Sequence, residues 1–246
     1  MASKLTKFSE ATWRLIFYAY FVFVGYTALF TPSTAQWIQD TNHHWLGWPY
    51  HPMSKLLEFY YQIELGCYMH QLLWTEVSRS DSIEMLLHHF TTIALMITSY
   101  LTNFTRVGAS ILLLHDSADC FLEGAKIFNY INKGAKGPWS LTISKLLCDS
   151  LFVCFAVTFF VTRLILYPRY ILWSVYAEAS VVFGTQWLGY KAFLGMLSVL
   201  QCLHVFWFYL ISKMVVGLIL TAGVEKDVRS DDDEDIGEFV EDKKEK

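Results

Sequence analysis

The stretch HHFTTIALMITSYLTNFTRVGASILLLHDSADCFLEGAK, residues 88–126, decides the fold of this chain. It belongs to two apolar runs, residues 83–102 and 107–130, each near the ~20 helical residues that cross ~30 Å of hydrocarbon. A short turn at 103–106 joins them, so they are expected to be antiparallel neighbours. Ionisable groups inside a membrane helix are costly and usually face a bundle interior or a wet cavity, so they are functional candidates by default. His115, Asp116, Asp119, Glu123 and Lys126 fall at i, i+1, i+4, i+8 and i+11, a single stripe of a helix. His88, Thr92, Leu95, Ser99, Thr102 and Arg106 form a second, mostly polar stripe. Counting back from the turn puts His88 and His89 level with residues 120 and 121. Asp119 then lies about one residue from the pair in depth, and Asp116 ~6 Å deeper.

Outward from this hairpin, apolar runs at 11–30, 55–74, 141–166 and 194–220 complete six expected spans. The composition agrees: 54% of the 246 residues are hydrophobic and 17% charged, against about 25% charged in soluble domains. A soluble enzyme, a disordered chain and a nucleic-acid module are thereby excluded. A further apolar stretch, 170–187, contains Glu178 and Gln186 and reads as a re-entrant or interfacial piece. The N-terminus, MASKLTKFSEATWR, has no signal-peptide pattern. Five cysteines without a CxxC pair argue against a disulfide framework or zinc knuckle.

Lys4, Lys7, Arg79, Lys133 and Lys136 fall on the side of both termini. Arg106, Arg169 and Lys191 fall opposite, which places the termini in the cytosol. The non-cytosolic loop 31–53, with Trp37, Trp45 and Trp48, is expected to form an aromatic interfacial belt. The expected division is a membrane domain at 1–224 and a disordered acidic cytosolic tail at 225–246. The tail carries eleven acidic and five basic residues, a solvated charge run that speaks against nucleic-acid binding. Ser230, followed by SDDDED-type acidity, is an expected phosphorylation site. Lys243 and Lys244 in the terminal KKEK resemble a dilysine retrieval signal read by coat machinery from the cytosol.

An imidazole beside a carboxylate can act as a general base or a nucleophile, with the carboxylate fixing its tautomer. There is no GxSxG elbow and no phosphate-binding glycine loop. The residues by themselves leave acyl transfer, proton transport and metal binding open, together with plain helix-packing hydrogen bonds. Glu58, Gln62, Glu64 and His70 in the second span either line a cavity or border water. His43, His44 and His51 read as solvated loop histidines.

Residues 88–126 resemble the signature of the ceramide synthases, TLC-domain N-acyltransferases of the endoplasmic reticulum. The paired His, Ser-Tyr, Asn, Arg-x-Gly, His-Asp-x-x-Asp and Leu-Glu-x-x-Lys stand at matching spacings, and KFSEATWRLIFY at 7–18 resembles the opening of that domain. The segment before the histidine pair, basic in the family, here offers only Arg79. The resemblance implies an all-α, polytopic bundle of six transmembrane helices. It implies a reaction in which acyl-CoA and a sphingoid base give an N-acyl sphingoid base and CoA, with acyl-CoA as substrate and no cofactor or metal. It implies His88, or else His89, as acyl acceptor or base, Asp116 as the orienting partner of His88, and His115 and Asp119 completing the site. Ser99, Tyr100, Asn103, Arg106, Glu123 and Lys126 match the pattern and are candidate substrate-binding positions, although hairpin structure and an i,i+3 ion pair explain them as readily. The cavity is expected to be closed toward the non-cytosolic side, and the connection at 170–194 to bear on acyl-chain length. A homo- or hetero-dimer is compatible with the sequence. The alternatives are a non-catalytic TLC-type protein of lipid transport, sensing or secretory assistance; a di-metal hydroxylase, for which the core has few histidines; and a proton-coupled carrier, for which broken helices or inverted repeats are missing.

Overall fold

The structure, a computed structural model, describes residues 2–30, 40–73, 82–134, 138–184 and 186–221. Trp37, Arg79, Lys136, the boundary at 224 and the tail with Ser230, Lys243 and Lys244 lie outside the described residues. Apart from a 3-10 turn at Thr41–His44, the described elements are α-type or wider helices. They are α1 (Ala2–Leu29), α2 (Lys55–Leu73), α3 (Ser82–Leu101), α4 (Thr105–Gly134), α5 (Pro138–Phe159) and α6 (Leu188–Thr221).

Helix α3 is inverted relative to a helix of a soluble protein, and α6 is apolar on both faces. On α3, Ile83, Leu86, Leu87, Phe90, Ile97 and Leu101 are exposed, whereas His88, His89, Thr92 and Ser99 are buried. On α6, Tyr190, Phe193, Leu197, Leu200, His204, Trp207 and Ile211, three or four apart, turn inward, while Val205, Phe206, Tyr209 and Val216 face out. Apolar groups outside and polar groups inside are what a hydrocarbon solvent selects. Leu141–Phe183 and Leu188–Leu220 are each long and apolar enough to cross a bilayer; α2, α3 and α4 carry buried polar residues on their inner faces.

Packing closes the helices into a ring. α1 lies on α2, α2 on α3, α3 on α6, α6 on α5 and its continuation, α5 on α4, and α4 on α1. Small residues let α4 approach its neighbours closely: Ala109 packs into the cluster with Phe21 and Val24 of α1, and Gly124 faces Leu151 of α5. The hairpin between α3 and α4 is tight, as its spacing predicts. Asn103 takes the left-handed conformation (φ 60°), and the Phe104 N–H reaches back to Ser99 O at 2.7 Å, a Schellman-type stop in which Asn is tolerated. Beyond the turn the expectation needs correcting. α3 and α4 share few contacts and occupy opposite positions in the ring, so their inner faces meet across its interior and not side by side.

The loop at 40–54 plugs one end of the ring. Trp45 is buried and its indole N–H donates to Ser174 Oγ (2.8 Å); Trp48 donates to Thr102 O (2.7 Å). Both rings pack edge-on against Phe104 or Phe183. Trp45 and Trp48 therefore form a plug where an interfacial belt is expected, because their N–H groups find acceptors within the protein. The stretch 170–187 also differs from expectation. Helix α5 continues through Phe160–Leu172, Ser174–Ala179 and Ser180–Phe183 and ends at Gly184 (φ 73°). The polarity of Glu178 is satisfied in place, by Thr41 Oγ1 and Ser174 Oγ at 2.5 Å each. Pro168, which has no N–H to give, is absorbed by a widening of the helix, with the Trp173 N–H bonding to Pro168 O.

Candidate active site

The interior of the ring gathers the imidazoles. From α3, His88 and His89 are buried with ring centroids 5.6 Å apart; from α4, His115 lies 6.2 Å from His88 with nearly parallel rings. Trp207 of α6 meets His88 edge-on at 5.2 Å, and Tyr68 of α2 flanks both His88 and His89. His115 and His88, from helices on opposite sides of the ring, bring their imidazoles together in its interior.

His115 is held at both nitrogens. Nδ1 lies 2.7 Å from Ile111 O, and Nε2 lies 2.9 Å from His204 Nε2. A carbonyl only accepts, so Nδ1 carries the proton; in the neutral ring Nε2 then accepts, and His204 Nε2–H donates. His204 Nδ1 is left as a buried lone pair with no hydrogen-bond partner. Arg163, from the continuation of α5, donates to the backbone carbonyl of His115 (2.7 Å) and to Asp119 Oδ2 (3.4 Å). Neither His204 nor Arg163 stands out in the sequence reading. The signal was there: each is an ionisable residue inside an apolar run, the rule that singled out His88. The four imidazoles do not converge, and among the described residues no three His, Cys, Asp or Glu groups are placed to hold a metal ion.

Asp116 is fully buried and does not bond to His88. It faces Glu64 and Tyr60 of α2. Neither Asp116 oxygen has a hydrogen-bond partner, nor does Glu64 Oε1, nor the Tyr60 hydroxyl. Glu64, one of the two outcomes left open for the second span, thus belongs to the interior.

The other candidates separate by depth. Glu123 accepts from Lys126 Nζ at 2.7 Å, and Arg14 Nη1 of α1 approaches it to 4.0 Å. Ser99 bonds to the Tyr61 hydroxyl (3.2 Å) and Met96 O (2.9 Å). Asn103 Nδ2 donates to Pro49 O (2.7 Å) and His51 O (3.1 Å); Arg106 donates to His43 O (2.7 Å) and Leu46 O (3.1 Å). Asn103 and Arg106 tie down the plug, and Tyr100 is partly exposed beside Tyr61. The structure does not bring these three to the histidines. His44 and His51 are buried in the plug, not solvated; burial, with the Arg106 charge beside them, pushes both down to about 4.

A small, mostly apolar void of about 20 Å³ lies among residues that extend from His115, Tyr68 and Thr92 to Ser99, Gly108 and Phe193, room for about one water. Along α4 this lining covers seven residues, ~10 Å. Gly108 belongs to the lining: a Cβ there would lie 1.7 Å from the Tyr61 hydroxyl.

A family model described as TLC domain matches residues 7–213. The chain is similar to ceramide synthase 4 of Bos taurus (37% identical over 230 residues, 93% of this chain and 55% of that protein). It is equally similar to ceramide synthase 5 of Homo sapiens (37% over 229 residues, 92% and 55%). Ceramide synthase LOH2 of Arabidopsis thaliana matches at 35% over 245 residues, 95% of this chain and 77% of that protein. The chain spans about half the length of the mammalian relatives. With its ring of helices, its interior histidines and these likenesses, the chain belongs to the ceramide synthase family of TLC-domain membrane proteins.

Proposed function

We propose that this chain transfers a fatty acyl group from acyl-CoA to the amine of a sphingoid base, giving dihydroceramide or ceramide and free CoA. The observation that carries this is the buried cluster of His88, His89 and His115 in the interior of the ring, with apolar side chains running from His115 toward Phe193. Family membership agrees. His88 is the acyl acceptor, in van der Waals reach of Trp207 and His115 and shielded from water. His115, saturated by Ile111 O and His204, orients its neighbours and does not shuttle protons to substrate. His89, Asp116 and Asp119 complete the site, and Glu123 with Lys126 borders it.

The chain resides in the endoplasmic reticulum membrane with both termini cytosolic, supported by the lysine and arginine bias and the terminal KKEK. Residues 1–224 form the membrane domain, and 225–246 an acidic tail with Ser230 as phosphate acceptor. Expression in cells lacking their own ceramide synthases, followed by incubation of microsomes with dihydrosphingosine and a mixture of acyl-CoAs, tests the activity. Dihydroceramide is expected. Absence of product at every chain length would support the non-catalytic alternative.

A further inference from the structure

The charges of the interior do not balance locally. Asp119 has Arg163, and Glu123 has Lys126 with Arg14 nearby. Glu64 and Asp116 are left facing each other, 1% and 0% exposed, without an ion pair among the described residues. Both Asp116 oxygens, Glu64 Oε1 and the Tyr60 hydroxyl make no hydrogen bond, and the Tyr60 O–H is the one donor that faces the two carboxyls among the described residues. Arg163, whose field reaches Asp116, directs its hydrogen bonds elsewhere. Two buried carboxyls facing a single hydroxyl donor, with no hydrogen bond made, are costly. The group that relieves them carries one positive charge and several N–H donors on a compact head, which describes a primary ammonium.

We infer that Glu64 and Asp116, with Tyr60, form the binding site for the ammonium group of the lipid amine substrate. This rests on the acyl-transfer reading and assigns to α2 a part in recognition. It gives Asp116 a different task from that of orienting His88. The bound R–NH3+ gives one N–H proton to the carboxyl pair, which frees the nitrogen lone pair. That lone pair forms the C–N bond to the acyl carbon as the bond to the departing group breaks. The second N–H proton leaves with the departing group, so the balance is R–NH3+ plus acyl-CoA to amide, HSCoA and one proton held by the carboxyls. A neutral hydroxyl lipid of the same shape supplies neither the charge nor the donors.

The full chain in nanodiscs provides the test, by direct binding of radiolabelled sphinganine, a primary ammonium at neutral pH, with acyl-CoA left out so that no amide forms. Its neutral counterpart, with hydroxyl in place of the amine, is the control. Wild type is expected to favour the cation by roughly 10–100-fold, the range of a charge-assisted hydrogen-bonded contact. Glu64→Gln is expected to remove most of that preference, Glu64→Asp to keep it, and Tyr60→Phe to weaken it by a few-fold. In steady state, Glu64→Gln raises the KM for dihydrosphingosine and leaves that for acyl-CoA unchanged. Equal binding of cation and neutral analogue by wild type overturns the assignment, even if Glu64→Gln fails to fold. So does a folded Glu64→Gln with wild-type preference. Binding is read without turnover, so lack of dihydroceramide with intact cation preference would count against the acyl-transfer activity and leave the ammonium site standing.

Discussion

The plugged end of the ring and its interior are built from similar residues and solve opposite problems. At the plug, Asn103, Arg106, Trp45, Trp48 and Glu178 each have protein partners, most within 3.1 Å. In the interior, Asp116, Glu64, Tyr60 and the Nδ1 atoms of His88, His89 and His204 have none. Polar groups whose bonds are all made inside the protein rigidify it. Polar groups left open in the dark of a membrane bundle are a liability that only a ligand's chemistry redeems. The division is one of degree, since His44 Nδ1 and both ring nitrogens of His51 in the plug are also without hydrogen-bond partners; what sets the interior apart is that its open groups are carboxyls and imidazoles gathered in one place.

Breaking the comparison at its joint gives the largest effect. Arg163 is the one interior cation shared between an acid and the backbone of the His115 turn. Arg163→Met removes the charge-assisted bond to the His115 carbonyl and an ionic contact of Asp119, and is expected to destabilise the protein by ~3–5 kcal/mol, seen as a lowered midpoint in fluorescence-detected thermal unfolding. An unchanged midpoint would mean that neither contact contributes to stability.

At the plug the expected losses are smaller and of another kind. Asn103→Ala forfeits a tolerated left-handed residue and two hydrogen bonds to loop carbonyls, which together cost about 1–3 kcal/mol. Turnover per folded molecule is expected to stay within a factor of about two, because no part of this side chain reaches the histidines. A drop in turnover without loss of stability would return Asn103 to the substrate.

The smallest effect is on pH. His44 and His51 sit near 4 in the folded protein against about 6.5 when unfolded. Between those values the unfolded chain binds more protons, so the plug loses stability as pH falls through that window. Trp45 and Trp48 emission is expected to shift red below pH ~6.5, and His44→Gln with His51→Gln to flatten the response. A shift that survives the double substitution would have another origin.

Much of this was legible in the sequence. The inverted stripes of α3 and α4 gave the membrane bundle, the tight turn and the identity of the interior histidines, because periodicity and the cost of burying charge act locally. Three things were not legible. Which helix faces which depends on α4 choosing α1 and α5 through Ala109, Gly124 and their partners, a property of pairs of helices. Asp116 consequently meets Glu64 and not His88. His204 and Arg163 needed only the rule already applied to His88, but isolated in apolar runs they made no pattern. Glu178 misled, since a carboxylate in a hydrophobic stretch reads as a break unless its acceptors' partners, Thr41 and Ser174, are known to lie alongside.

The decisive question is whether chemistry takes place at the His88 imidazole. Acyl transfer from acyl-CoA to dihydrosphingosine by purified wild type and by His88→Ala, both shown folded by matching thermal midpoints, answers it. A fall in turnover of ~100-fold or more, the scale of losing a nucleophile or general base, is expected. Equal turnover would place the reaction elsewhere in the ring and leave the interior without its role.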